Sequence, residues 1–495
     1  GALSFWRLQY LCLSGAAFQA MVKHDTFGDS IPLGDPSWYQ GLNTAFYGPS
    51  HVAWRAQCRA FVEEVVDPIV TDWDLCAVQG DHEACKEYIS TVYSESGKRG
   101  ILPAVVGKPW PQEYTDVKSP EGYDYFHELI NLDETTRPGG GVAWALMGGL
   151  GIGLPPVLNF GIPGDNDLQT RVATDCLSGK KIICLGITES NAGSDVSNLQ
   201  TTAEDKGSYF LVNGSKMWIT NGIYADYFTV AVRTGPPGSA HKGISMLLLE
   251  RSMPGVETSK MECMGVWTSG TTLIQLTNVK VPKENLIGKL NEGFKQIMFN
   301  FNHERWLLAG QAARLARTCV EESLRHARIR KTFGKFLIEH QVIQHKIGEM
   351  ARMCEATQAW VENITYQMNT MSKEEQNQRL GGHIALLKVQ SSKAAEYCAR
   401  EALQVFGGAG YTRSGQGEKV ERIYREVRAY AIPGGSEEIM LNLAASQFKF
   451  VKQMAPDPRD MLIKKLQQEN SNLKQLGTSQ TSSNPGVMPV ATAKL

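Results

Sequence analysis

An ordered switch of pattern limits what this chain can fold into: helical periodicity, then a block of short β-type segments, then helical periodicity again. In the middle block KIICLGIT from Lys181, YFTVAV, ISMLLLE and TTLIQLTNVKVP are short, apolar and β-branched. FLVNGSKMWIT carries Asn213-Gly214 between alternating segments, the pattern of a hairpin turn. Upstream, HVAWRAQCRAFVEEVVDPIV sets Val52, Ala56, Val62, Val65, Val66 and Ile69 mostly at helical spacing, with Ser50 as N-cap. Helical stretches continue to residue 180, broken by loop signals at Gly107 to Pro111 and Pro138 to Gly141. Downstream, Ile343, Ile347, Met350, Cys354, Thr357, Val361, Ile364 and Met368 recur at steps of four and three, the stripe of a helix–helix seam.

Helices and strands in separate runs argue against βαβ units and predict an α+β fold. The expected order is an N-terminal arm over 1–49, an N-terminal α-helical domain over 50–180, a β-domain over 181–295, a C-terminal α-helical four-helix bundle over 296–450 and a tail over 451–495. From about residue 478 the tail is polar and carries Pro485 and Pro489, the composition of a disordered segment. It ends in Ala493, Lys494 and Leu495, similar to the SKL-type address read by a peroxisomal receptor. The first twenty residues are moderately apolar with one cation, Arg7, which fits a leader remnant or an amphipathic arm.

Lys plus Arg number 50 against 51 Asp plus Glu, so no excess positive charge is available to hold a nucleic-acid backbone. The ten cysteines form no CxxC pair and read as free thiols of a reducing compartment, not as disulfides or a metal cluster. The sequons at Asn213 and Asn363 read as chance matches. No apolar run reaches the roughly 18 residues of a membrane span.

Several catalytic signatures fail. GGLGIG (148 to 153) lacks GxGxxG spacing and a preceding strand, no P-loop or GxSxG occurs, and Leu307 stands where a zinc-protease helix starting at His303-Glu304 needs histidine. What remains is a scatter of individually weak signals. TESNAGSD, Thr188 to Asp195, offers hydroxyls and close backbone approach after a strand, or is an ordinary polar loop. MWITNG sets Trp218 and Thr220 on one side of a strand, suited to a flat ligand or to the core. RKTFGK reads as a helix end capped by Gly334, its cations serving the helix dipole or a pyrophosphate, and QVFGGAGY permits close backbone approach at Gly407, Gly408 and Gly410.

In this order, with KVPKENLIG, the EHQ of Glu339 to Gln341 and YREVRAYAIPGGSEEI, these segments resemble the acyl-CoA dehydrogenase family over residues 50 to 450. The resemblance implies two α-helical domains flanking a β-domain, FAD as cofactor, an acyl-CoA thioester as substrate, and a homotetramer or homodimer whose neighbouring subunits complete each FAD site. It implies that Thr188, Ser194, Trp218 and Thr220 meet the flavin, with Ser194 also at the thioester end of the substrate. Arg330, Phe333, Gln341, Gln404 and Gly408 would hold pyrophosphate and adenosine, Ser436 and Glu438 would close over the cofactor, and Asn302, Arg305 and Gly435 would face the substrate. Two positions depart from the family pattern: Ser190 replaces a usual Pro and Trp267 a common Arg.

The implied chemistry is α,β-dehydrogenation to a trans-2-enoyl-CoA. A backbone NH and an FAD ribityl hydroxyl would stabilise enolate charge, a desolvated carboxylate would take the α-proton, and flavin N5 would take the β-hydride. Most members place that carboxylate at the position of Gly434, which carries none. Long-chain and isovaleryl members carry it on an earlier helix just before an Arg, where Glu304 and Arg305 stand, so Glu304 is the expected base, Gly434 NH an oxyanion donor and Glu437 the rival base. An O2-using oxidase or monooxygenase of the same fold, and more remotely a non-catalytic acyl-CoA-binding protein, remain alternatives. The electron acceptor, a flavoprotein or O2, is left open.

Overall fold

The computed structural model describes residues 26–29, 31–161, 168–454, 459 and 462–469. The first 25 residues, the polar tail and the Ala493-Lys494-Leu495 terminus lie outside them.

The N-terminal helices are α1 (Pro49–Phe61), α2 (Val70–Gln79), α3 (His82–Lys98), α4 (Tyr125–Thr136), α5 (Gly140–Ala143), α6 (Gly149–Phe160) and α7 (Leu168–Leu177). Ser50 is not the N-cap of α1: Gly48 is, because Pro49 at the first helical position needs no NH partner, and Ser50 Oγ donates instead to the Glu121 carbonyl at 2.6 Å. From Gly140 to Phe160 the chain is helical without a break, through a π-turn at Trp144–Gly148. At 21 residues and mean hydropathy 1.5 that helix has the length and apolarity of a membrane span, which the run-length reading of the sequence missed. It is 83% buried over that window, so it is a core helix around which the other elements pack.

The strands are β1 (Ile183–Gly186), β2 (Thr202–Asp205), β3 (Tyr209–Ile219), β4 (Tyr227–Arg233), β5 (Ile244–Glu250), β6 (Val256–Lys260), β7 (Thr272–Pro282) and β8 (Leu286–Ile287). They form one eight-stranded sheet in the order β6-β7-β3-β2-β4-β5-β8, with β1 parallel to β4. The expected hairpin at Asn213-Gly214 does not form. Strand β3 runs straight through it, paired to β7, with a register shift between Val212 and Gly214. The glycine serves a bulge, not a turn: a Cβ there would lie 2.6 Å from Thr201 Oγ1.

The C-terminal elements are α8 (Gly293–Ile329), a short hairpin of β9 (Lys331–Thr332) and β10 (Lys335–Phe336), then α9 (Gln341–Thr370), α10 (Lys373–Arg379), α11 (Gly381–Phe406), α12 (Glu418–Ala431) and α13 (Glu437–Met454). RKTFGK is thus a hairpin with Phe333 and Gly334 at positive φ in its turn, not a glycine-capped helix end. All eight stripe residues of α9, seven apolar and Thr357, are buried, as a seam requires. Helices α8, α9, α11 and α12 share a core that includes Cys319, Val320, Met350, Cys398 and Ile423. The nine described cysteines are free. The described residues divide into two compact units, one ending at Leu441 and one beginning at Asn442, the second helical at 442–454 and 462–469.

Candidate active site

Helix α8 aims consecutive residues in different directions, about 100° apart. His303 turns inward, its Nε2 2.8 Å from Glu128 Oε1 on α4, and Trp306 Nε1 donates to Thr365 Oγ1 on α9 at 3.0 Å. These buried bonds fix the rotation of α8, so that Glu304, Leu307, Leu308 and Gln311 line one cavity. Its other walls are Trp144, Met147, Gly148 and Ile152 of the core helix, Thr220 beyond β3, and Pro433 after α12. Its volume is about 60 Å³, a tenth of the cleft of about 600 Å³ lined by His82, Lys86, Tyr224 and Arg251. Chemistry, not size, favours the smaller one. In the larger cleft Arg251 is spent on Ala225, Gly222 and Thr258, whereas the small cavity holds a carboxylate with no partner.

That carboxylate is Glu304. No hydrogen bond or ion pair holds it among the described residues, and desolvation pushes its pKa up to about 7 against the opposing pull of Arg305 and Lys388. Gly434 lies beside it at φ +68, and a Cβ there would fall 3.8 Å from Glu304 Oε1 and 2.7 Å from Leu308 Cδ1. A helix carboxylate and the glycine loop therefore converge on the same space. Arg305 Nε donates to the Gly434 carbonyl at 2.9 Å and Nη1 to Asn302 Oδ1 at 3.4 Å. Gly435 adopts φ +98, and Ser436 accepts from Ile439 N as cap of α13. Glu437, the rival base, accepts from Ser392 Oγ at 2.6 Å and does not line the cavity.

On the sheet side, the Thr188 carbonyl accepts from Met217 N at 2.9 Å, joining TESNAGSD to β3. Buried Glu189 holds the loop, bonded to Lys216 Nζ at 2.7 Å and to the backbone NH groups of Gln200 and Thr201. Ser194 is exposed. Trp218 is 52% exposed at φ +56, in a register shift between Lys216 and Ile219. The simple alternation expected for Trp218 and Thr220 is therefore broken, yet the indole is left bare and the threonine borders the cavity. Such a pair, an exposed flat ring beside a hydroxyl near the Glu304 cavity, fits a planar aromatic cofactor. Ser190 is exposed, and Trp267, bonded through Nε1 to the Cys263 carbonyl, is covered by the Arg425 guanidinium at 3.8 Å.

Arg330, Phe333, Gln341, Gln404, Gly408 and Glu438 are exposed, Phe333 to 97%. His326 stacks on Phe406 at 4.2 Å, which gathers the ends of α8 and α11, and with them Arg330, Gln404 and Gly408, at one end of the bundle. Twenty-six residues of α8 separate Arg330 from Glu304, about 39 Å at the α-helical rise. Within one chain the structure thus brings together Glu304, Gly434, Arg305, Asn302 and Thr220, and keeps the Arg330 group apart from them. Gly407 and Gly408 have open space about them, whereas Gly410 is the glycine in close approach, to Leu403 and Phe406.

Four buried charged residues around the site escaped sequence reasoning: Lys388, the paired Lys216 and Glu189, and Glu426. Glu426 accepts from Gly140 N and Gly141 N at 2.7 and 2.8 Å, capping the core helix that walls the cavity, and desolvation raises its pKa to about 7. A lysine inside the apolar run ALLKVQSS was the visible signal for Lys388.

A helical core, a flanking sheet and a desolvated carboxylate facing a glycine loop make a site that can exchange a proton beside a bound planar ligand. Residues 291–448 match the acyl-CoA dehydrogenase C-terminal domain, and 184–279 the acyl-CoA dehydrogenase middle domain. The chain therefore belongs to the acyl-CoA dehydrogenase family, is an oxidoreductase of that family, and uses FAD. Acyl-CoA dehydrogenase apdG of Emericella nidulans is 38% identical over 431 residues, 84% of this chain and 95% of that one. An acyl-CoA dehydrogenase of Bacillus subtilis is 30% identical, over 72% of this chain and 89% of its own length. Among solved structures, butyryl-CoA dehydrogenase from Megasphaera elsdenii aligns with TM-score 0.71 and 27% identity, over 81% of this chain and 98% of that one. An acyl-CoA dehydrogenase complexed with FAD from Bacillus anthracis gives 0.72 and 26%, over 83% and 70%.

Proposed function

We propose that this chain dehydrogenates an acyl-CoA thioester to the trans-2-enoyl-CoA with Glu304 as the α-proton acceptor. The observation that carries the reading is a partnerless, desolvated carboxylate with its pKa near 7, 3.8 Å from the Cβ position of a glycine that has no carboxylate to give. Burial of this kind suits a base that must be ionised near neutral pH yet strong enough to take a carbon-bound proton. Gly434 N–H donates to the thioester oxygen as negative charge grows there, and Arg305 holds the loop that presents it. Thr220 and Trp218 bind the flavin ring, with Thr188 and Ser194 beside it and Ser436 and Glu438 closing over it. FAD, when bound, supplies the acceptor for the β-hydride. Apolar Met147, Ile152, Leu307, Leu308 and Pro433 keep water from the acyl group.

Arg330, Phe333, Gln341, Gln404 and Gly408 serve the FAD of a neighbouring subunit in a homo-oligomer. Their support is the length of α8, which sets Arg330 about 39 Å from its own Glu304 along the helix. The similarity of Ala493-Lys494-Leu495 to an SKL-type signal supports a peroxisomal address, testable by importing a reporter that carries the tail. Hydrogen peroxide released during turnover would mark O2 as acceptor; its absence, with turnover on an electron-transfer flavoprotein, would mark a dehydrogenase.

Glu304→Gln keeps the volume and removes the base. Mixed with a good acyl-CoA in a stopped-flow cell, that variant should bind FAD normally and reduce it at least about 10²-fold more slowly. Near-normal flavin reduction would assign the base elsewhere.

A further inference from the structure

Lys388 lies on α11, 1% exposed, among Ile384, Ala385 and Leu387. Burying an ammonium group costs several kcal/mol unless its hydrogens and charge are answered. No carboxylate lies within ion-pairing distance of it among the described residues. Its Nζ donates instead to two backbone carbonyls, Ala431 at 3.0 Å and Gly435 at 2.8 Å, which bracket Gly434. Arg305 takes the carbonyl between them, that of Gly434 itself, at 2.9 Å. Two cations on two helices thus hold the last carbonyl of α12 and two carbonyls of the short loop that follows it. That loop needs holding, because Gly434 and Gly435 at φ +68 and +98 have many other conformations open to them.

The charged groups around Lys388 are Glu437 at the start of α13, Arg305 and Glu304 on α8, and Glu438. Glu437 is engaged by Ser392 Oγ on α11. Among the described residues no hydrogen bond or ion pair holds Glu304, and the charges of Arg305 and Lys388 both favour its ionised form.

We propose that Lys388 is a positioning residue of this active site: it clamps the glycine loop in register with Glu304, and its positive charge favours the ionised form of that base. The inference rests on Glu304 as proton acceptor. Neither effect requires Lys388 to touch substrate.

Desolvation lowers the Lys388 pKa to about 8, with Glu437 opposing. Catalysis then needs Glu304 deprotonated and Lys388 protonated, so kcat should rise with pH through about 7 and fall again through about 8. The test uses the FAD-loaded enzyme, a saturated straight-chain acyl-CoA, and two variants. Lys388→Met should lower kcat at pH 7 by about tenfold, move the acid limb up by about one pH unit and abolish the alkaline fall. Lys388→Arg, which keeps the charge and the donors, should hold the acid limb near wild type yet lose the alkaline fall, since guanidinium does not titrate there. A wild-type acid limb and kcat in Lys388→Met, or a retained fall near pH 8 in Lys388→Arg, would overturn the assignment. If the methionine variant does not fold, the arginine profile decides. Glu304→Gln run alongside separates the two ideas: an active Glu304→Gln sinks the choice of base, whereas an inactive one beside unaltered Lys388 variants sinks only the clamp.

Discussion

In its proposed role, Glu304 shows how environment, and not residue type, sets chemistry. An ordinary glutamate is ionised at neutral pH and too weak to abstract a carbon-bound proton, whereas this one is desolvated with its pKa raised to about 7 from 4.5. Flavin reduction measured against pH should therefore collapse on acidification, with its acid midpoint near 7. The same shift has a stability consequence. Between pH 4.5 and 7 the folded chain keeps a proton that the unfolded chain releases, so the contribution of this group to stability is present below 4.5 and lost as pH rises through 7. Gly434 is constrained as tightly. Gly434→Ala must accept both φ +68 and a Cβ 2.7 Å from Leu308 Cδ1. The left-handed conformation alone costs about 1–2 kcal/mol, so the loop should shift and kcat should drop while FAD content stays normal. Unchanged kcat in that variant would show that loop position is not critical.

The helices and strands hold these residues through a few buried ionic links. Asp35, in the segment leading to α1, receives Arg137 at 2.7 Å, Arg314 at 3.2 Å and Arg59 at 3.5 Å, from the end of α4, α8 and α1. Removing one partner of such a cluster strands the others without compensation. Asp35→Ala should cost about 3–5 kcal/mol and lower the melting temperature. A wild-type melting curve would show that the segment contributes little. Periodicity found the α9 seam because a stripe of eight residues, seven of them apolar, has one packing solution on a bundle. It misread Asn213-Gly214 because a glycine that lets Thr201 approach and a glycine that lets a chain turn look alike in sequence. It misread RKTFGK for a similar reason: Phe333 takes φ +52, a conformation propensity does not assign to phenylalanine.

The assembled architecture raises a question about the bare far end of the bundle. Phe333 and Tyr411 are 97% and 93% exposed, and aromatic rings in water are an invitation to a partner surface. In the proposed oligomer Arg330 grips the FAD of a neighbour through a charge-assisted bond worth about 1.5–3 kcal/mol. Arg330→Ala should therefore weaken FAD binding by roughly tenfold or more without changing the helical content seen by circular dichroism. Full FAD affinity in that variant would separate Arg330 from the cofactor.

The order of elements, the family motifs, the missing loop carboxylate and the candidacy of Glu304 as its replacement were all legible in one chain, because periodicity and local motif are properties of neighbouring residues. Tertiary structure alone decided that this glutamate stands without a partner among the described residues, that Lys388 and Arg305 grasp one loop from two helices, and that Glu426 caps the helix walling the cavity. Solvent exclusion and the field at a carboxylate are sums over groups far apart in sequence, and only folding brings those groups within reach of one another.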